Sequence, residues 1–200
     1  MKREDKALLI ALCMGDGRVQ KSSSKALRGR FVMTHSEKQA EYIKHKAKLI
    51  NSICGGKQCE VQPFNNSGYP GLRYGKTHRY FGIIHKWLYK HGKKVFPDTL
   101  LNRLDKRCIA YLWMDDGSLT AKRRNGKICA WVGYLNLYED FETCERFAKV
   151  FTKLFGITPL IRRSKNFYRL EFNTTLCKKF LPEIAEYVVP SLKYKVTMIR

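Results

Sequence analysis

The sequence is short of acid. Its 200 residues carry 17 Asp and Glu against 39 Lys and Arg, a formal charge of +22 with a pI near 9.9. It also lacks any apolar run approaching the length that spans a bilayer, which excludes a membrane-spanning helix. The short apolar stretch in "MKREDKALLIALCMGDG" meets an acid rather than a cleavage site, so no secretory signal is read. No CxxC pair exists, and the seven cysteines at 13, 54, 59, 108, 129, 144 and 177 are odd in number and scattered. A disulfide framework is thereby excluded and a zinc site unsupported; all seven are expected as buried or neutral thiols. The five histidines show no metal spacing. "PGLRYGKT" (70–77) misses the phosphate-loop pattern, because glycine is required at 70 and Pro70 stands there; the segment reads as a strand and helix start with Thr77 as cap. "NNS" and "NTT" match glycosylation triplets without a secretory route. The chain starts at Met and shows no splicing blocks at its ends, so a form embedded in an intein is not expected.

What is present is a globular composition, with 44% hydrophobic and 12% aromatic residues. The first hundred residues hold 20 basic and 7 acidic groups and the second hundred 19 and 10, so the charge belongs to the whole body and not to a tail. Nucleic acid is the partner such an excess fits. A solubilising surface or an anionic-membrane binder are the plainer readings, but no amphipathic anchor stands out.

The chain repeats itself. "LIALCMGDG" (9–17) lies over "IAYLWMDDG" (109–117) without a gap. Residues 30–55 share the pattern of 130–156, and 69–97 that of 166–196. In each copy the middle segment has helical spacing: Ile43, Ala47, Ile50 and Ile53 in the first, Phe147, Val150, Phe151 and Leu154 in the second. Ser36 to Gln39 fits a capping box, and Gly55 and Gly156 sit where a helix C-terminus wants positive φ. In "FYRLEF", Tyr168, Leu170 and Phe172 take one face; in "GLRYG", Leu72 and Tyr74 alternate with Arg73. The expected fold class is α+β: two pseudo-symmetric αββαββα units, 1–97 and 98–200, with antiparallel saddle-shaped sheets covered by helices on one face. Pro97 and Asp98 mark the boundary.

Asp16 and Asp116 end the two apolar segments at the same repeat position. One Asp before Gly at a helix end is an ordinary turn or cap; two at one repeat position raise a different question. A carboxylate at a helix C-terminus is disfavoured by the dipole. If the two apolar helices pack together, for which small Ala11 and Gly15 leave room beside bulkier Tyr111 and Asp115, the acids also repel each other. A hard divalent cation such as Mg²⁺ relieves these repulsions. Lys94 in "GKKV" and Lys195 in "KYKV" follow the acids by 78 and 79 residues, each expected at the end of its copy's third helix. Either they complement the dipole of that helix, or they stabilise charge developing on a phosphate or attacking water.

"LIALCMGDG", "IAYLWMDDG" and the stretch "KKVFPDTLLNRLDKRCIAYLWMDDGS" resemble the LAGLIDADG homing endonucleases in their monomeric, two-motif, intron-encoded form. The resemblance runs from about residue 7 to 196. It implies motif helices between the units, sheets in the DNA major groove, and both strands cut across the minor groove. It implies that Asp16 and Asp116 bind Mg²⁺ (or Mn²⁺) with the carbonyls of Gly15 and Asp115, and that Lys94 and Lys195 are the basic active-site residues. The second motif departs from the pattern at Tyr111 and Asp115, and only Ser118 and Thr120 offer polar groups soon after Asp116. DNA-binding candidates on the basic strand pairs are Lys21, Lys25, Arg28, Arg30 and Arg73 in copy one. In copy two they are Lys122, Arg123, Arg124, Lys127, Arg162, Arg163, Lys165 and Arg169. The reading is therefore a metal-dependent endonuclease making a double-strand break in a long DNA target. It acts as a monomer on double-stranded DNA, with no membrane and no required protein partner, in the cytoplasm of a prokaryotic or phage-infected cell or in an organelle. The alternatives are an intron RNA splicing maturase or a non-catalytic DNA-binding protein on the same fold.

Overall fold

The computed structural model describes residues 1–66 and 68–198. The chain forms two compact units, Met1–Leu100 and Leu101–Arg200. The 65–67 triplet includes Ser67, which lies outside the described residues.

The first unit runs α1 (Arg3–Met14), β1 (Arg18–Gln20), β2 (Gly29–Ser36), α2 (Ala40–Cys54), β3 (Gln62–Asn66), β4 (Tyr69–His78) and α3 (Arg79–Leu88). It closes with a small hairpin, β5 (Tyr89–Lys90) and β6 (Lys93–Lys94), and the short α4 (Asp98–Leu101) follows. The antiparallel sheet has the order β1-β2-β4-β3. Val19, Phe31, Met33 and Tyr74 point to one side and are buried with Ile43, Ala47 and Ile50 of α2 and Phe81, Ile84 and Leu88 of α3. Phe31 and Phe81 stack at 5.2 Å. Helix α1 is buried continuously from Ala7 to Met14, as a segment apolar on all faces must be.

The second unit repeats the plan as α5 (Lys106–Asp116), β7 (Gly117–Arg124), β8 (Lys127–Glu139), α6 (Phe141–Phe155), β9 (Leu160–Ser164), β10 (Phe167–Phe172) and α7 (Thr174–Ile184), ending in a 3-10 turn, Pro190–Lys195. Its sheet order is β7-β8-β10-β9. Asn125 and Gly126 both have positive φ, the two-residue turn that an Asn-Gly pair favours between strands. Trp113, Phe151, Phe172 and Phe180 form an aromatic core with centroids 4.7–5.6 Å apart. The α+β class and the αββαββα order of each unit are those the repeat predicts.

Local details differ from the sequence reading. The capping box at Ser36–Gln39 does not form: Ser36 makes no side-chain cap, and Gln39 Oε1 lies 3.0 Å from His35 Nδ1 instead. His78, not Thr77, caps α3, its Nδ1 accepting from the Tyr80 amide at 3.1 Å. The thiols are not uniformly buried: Cys13, Cys108, Cys144 and Cys177 are, Cys54 and Cys59 are half-buried, and Cys129 is exposed. Gly55 and Gly156 do take positive φ at the ends of α2 and α6. Among the described residues no helix is long and apolar enough to cross a membrane.

Candidate functional site

Each motif acid sits where a helix hands the chain to a strand. Helix α1 stops at Met14, with Gly15 as its C-cap, and Asp16 follows with its side chain 38% exposed. Helix α5 runs two residues further, so Asp116 is its last residue and is half-buried. The glycine after each acid is fixed by close approach. A Cβ at Gly17 would lie 2.2 Å from the Leu12 carbonyl oxygen and 2.3 Å from the Phe31 ring; at Gly117 it would lie 2.4 Å from the Trp113 ring and carbonyl.

The two lysines occupy corresponding places in their own units. Lys94 Nζ donates to the carbonyls of Met14 (3.1 Å) and Gly15 (2.6 Å). Lys195 Nζ donates to the carbonyls of Met114 (2.6 Å) and Asp115 (3.4 Å). Neither residue ends a third helix. Helix α3 stops at Leu88, and Lys94 comes from β6, reached through a His91-Gly92 turn with φ of 49° and 77°. Lys195 comes from the 3-10 turn after α7, and its own carbonyl accepts the Trp113 indole N–H at 2.9 Å. Each ammonium thus complements the C-terminal dipole of the motif helix rather than of its own copy's third helix. The last-turn carbonyls, which have no helical donor, are satisfied by a cation.

Two residues beside the acids, His35 and Asn136, are not singled out by the sequence, and Gln39 is read there only as part of a helix cap. His35 on β2, its side chain buried, places Nδ1 3.8 Å from Asp16 Oδ2 and packs edge-on to Tyr42. Gln39 contacts the same nitrogen, and with Asp16, Thr34, Phe64 and Gly71 these residues line a cleft of about 360 Å³. In the second unit Asn136 of β8 donates to the Asp116 carbonyl at 3.1 Å. The helix-facing alternation of β2 would have marked His35 as a buried polar group next to an acid. Asn136 leaves no such signal.

The basic candidates divide by strand register. Arg30 and Arg73 point away from the helices of the first unit, as do Lys122, Arg162 and Arg169 in the second. Lys21, Lys25 and Arg28 lie in the connection between β1 and β2, and Arg123, Arg124 and Lys127 at the β7–β8 turn, where Arg123 donates to the Gly126 carbonyl. Arg163 departs from this set. It pairs with Tyr168, shares the helix-side face, and braces its turn by donating to the Lys165 carbonyl at 3.2 Å.

The LAGLIDADG DNA endonuclease family model matches residues 6–180. A protein named RecA from Mycobacterium shimoidei is 25% identical over 94% of this chain but only 45% of its own length, so the chain spans less than half of that relative. A probable intron-encoded DNA endonuclease of Mycosarcoma maydis is 27% identical over 60% of this chain and 88% of its own. The solved structure of the homing endonuclease I-WcaI bound to its DNA recognition sequence shares the fold with a TM-score of 0.82 at 20% identity, covering 100% of this chain and 88% of that one. A family match over this much of the sequence, on a fold with two motif helices each followed or ended by an acid, makes the chain a member of the LAGLIDADG DNA endonuclease family.

Proposed function

We propose that the protein is a homing endonuclease that cuts both strands of a long duplex site by metal-dependent phosphodiester hydrolysis. The observation that carries the reading is the repeated acid–lysine arrangement: in each unit an acid stands at the junction of motif helix and first strand, and a lysine from the end of that unit reaches the carbonyls beside it. A purely structural cap would not need the acid.

The donors fit a hard cation. Asp16 and Asp116 offer carboxylate oxygens and Gly15 and Asp115 offer carbonyls, an all-oxygen set of the kind Mg²⁺ or Mn²⁺ takes. A carbonyl that accepts from a lysine keeps a second lone pair for an ion. When bound, the metal supplies Lewis-acid polarisation of the phosphate and lowers the pKa of water. The chain's own groups do the rest. Lys94 and Lys195 hold positive charge beside the acids, where negative charge builds on the phosphate oxygens in the transition state. Asn136 fixes the main chain at Asp116, and His35 fixes the surroundings of Asp16. The basic sheet faces bind duplex DNA as a monomer, with affinity that falls steeply with salt. The place of action is then wherever the encoding DNA resides: the cytoplasm of a prokaryotic or phage-infected cell, or an organelle.

Asp16→Asn keeps the size of the side chain and removes the charge. It abolishes cleavage of at least one strand while DNA affinity stays near the wild-type value. Normal cutting by this variant refutes the assignment.

A further inference from the structure

The open face of each sheet carries an arginine laid on an aromatic ring. Arg169 Cζ lies 3.8 Å from the centroid of Tyr134, and Arg73 Cζ lies 5.3 Å from that of Phe64, both inside the range of cation–π attraction. The two arginines are equivalent by register. Two residues after each motif acid a cross-strand row begins: Arg18–Val32–Gly75 in the first unit, Ser118–Tyr134–Glu171 in the second. Each arginine stands two residues before the last member of its row, so both point to the same face of their strands. Arg18 and Ser118, which open the rows, differ in kind; the stacked arginine recurs.

We infer that Arg169 and Arg73 are base-reading residues, each holding a guanidinium fork for the O6 and N7 atoms of one guanine in its half of the target. This rests on the duplex-DNA reading above and assigns residues within it. Three observations separate a base reader from a phosphate clamp.

The first is position. Both arginines lie on the third strand of a four-strand sheet, an interior strand in each case. Strands are about 4.8 Å apart and the major groove is about 12 Å wide, so interior strands overlie the groove floor while edge strands and turns overlie the phosphate walls. The second is preorganisation. A ring under the guanidinium fixes its plane, so little rotamer freedom is lost when both fork nitrogens bond one base edge. A phosphate is served as well by a mobile lysine or arginine, and such residues occupy the connections and turns at 21, 25, 28, 123, 124 and 127. The third is the surroundings. Arg169 Nε is buried and has no hydrogen-bond partner in the structure, so the ring and the strand hold the group rather than a carboxylate. The acid nearby, Glu171, is turned to Arg162, with Nε and Oε1 3.5 Å apart. Arg162 stands directly across from Arg169, a like-charge pair that costs stability, and Glu171 offsets it while leaving the Arg169 fork available.

The test is a binding selection from a library of randomised duplexes with the wild type, Arg169→Lys, Arg169→Ala, Arg73→Lys and Tyr134→Ala. The wild type recovers a motif with guanine at one position in each half. Arg169→Lys keeps the charge but loses the fork, so it loses guanine preference at one position only, by about five- to 150-fold, with the other positions unchanged. Arg73→Lys does the same in the other half. Tyr134→Ala, which leaves every charge in place, weakens the same guanine as Arg169→Lys because the fork is no longer held. The inference is overturned if Arg169→Lys retains the full motif, or if Arg169→Ala weakens all sequences equally and lowers the salt slope by about one, the signature of a phosphate contact. If the wild type binds duplexes but selects no motif, base reading fails while duplex binding stands. If it binds no duplex at all, the proposed function fails with it. Thermal melting of each variant confirms that it is folded.

Discussion

Lys195→Met tests the lysine–helix contact apart from any chemistry. Lys195 is 9% exposed, and its ammonium lies 2.6 Å from the Met114 carbonyl, a buried last-turn group of α5. A hydrogen bond involving a charged group contributes about 1.5–3 kcal/mol, and a cation at a helix C-terminus adds up to about 1 kcal/mol. Methionine keeps most of the apolar stem in place, so lost packing contributes little. The expected loss is therefore about 2–4 kcal/mol, or roughly 5–15 °C in Tm for a chain of this size. Lys94→Met removes a contact of similar length, and its loss is roughly half as large because Lys94 is half-buried and solvent screens its charge. The assay is thermal melting in a chelator, so that no divalent ion replaces the ammonium. If Lys195→Met melts together with the wild type, Lys195 does not hold the end of the motif helix.

Two further predictions concern caps and pH. Asp140 caps α6 by accepting from the Thr143 amide at 2.7 Å, and that hydrogen bond holds its carboxyl below the ordinary carboxylate value. Asp140→Ala costs about 1 kcal/mol near neutral pH, and the difference from wild type disappears as pH falls through the depressed value, read by chemical denaturation at several pH values. His78 caps α3 as a neutral acceptor. Burial first, and then the charges of Lys76 and Arg28, hold its pKa below the usual histidine value. The folded state disfavours the proton, so the cap's contribution is full above about pH 6.5 and is lost as pH falls toward the folded value. His78→Asn keeps a capping side chain without the titration, and its stability is flatter than wild type over that window.

The parts of the fold that were legible in the sequence are those set by periodicity. Helix α6 shows its buried stripe in Phe147, Val150 and Phe151 and its end at Gly156; β10 shows its alternation in Leu170 and Phe172. Repetition made Asp16, Asp116, Lys94 and Lys195 visible, because a feature that recurs a hundred residues on is hard to assign to chance turns. What periodicity does not encode was missed. The His91-Gly92 turn lies inside a basic run that reads as a helix end, so the lysine's strand was assigned to a helix. Gln39 fits the capping box by type but contacts His35, which lies next to the box. Lys76 shares its strand face with Tyr74, and at 5% exposure it donates to the Gly55 carbonyl at the end of α2. A lysine in that pattern reads as surface charge until the helix terminus above it is known. His35 shows only in the alternation of β2, as a polar residue on the buried face, and Asn136 reaches Asp116 through sheet pairing, which leaves no spacing to find.

If the two motif acids serve cleavage as proposed, both DNA strands are cut only when a divalent metal is present. The measurement is incubation of the purified protein with a supercoiled plasmid carrying the joined DNA flanks of this reading frame, with Mg²⁺ and with chelator, followed by mapping of the ends. The expected product is full-length linear DNA in Mg²⁺, cut at one site on both strands, and none in chelator. A plasmid that stays supercoiled in Mg²⁺ while the protein is bound to it refutes a cleaving role for Asp16 and Asp116.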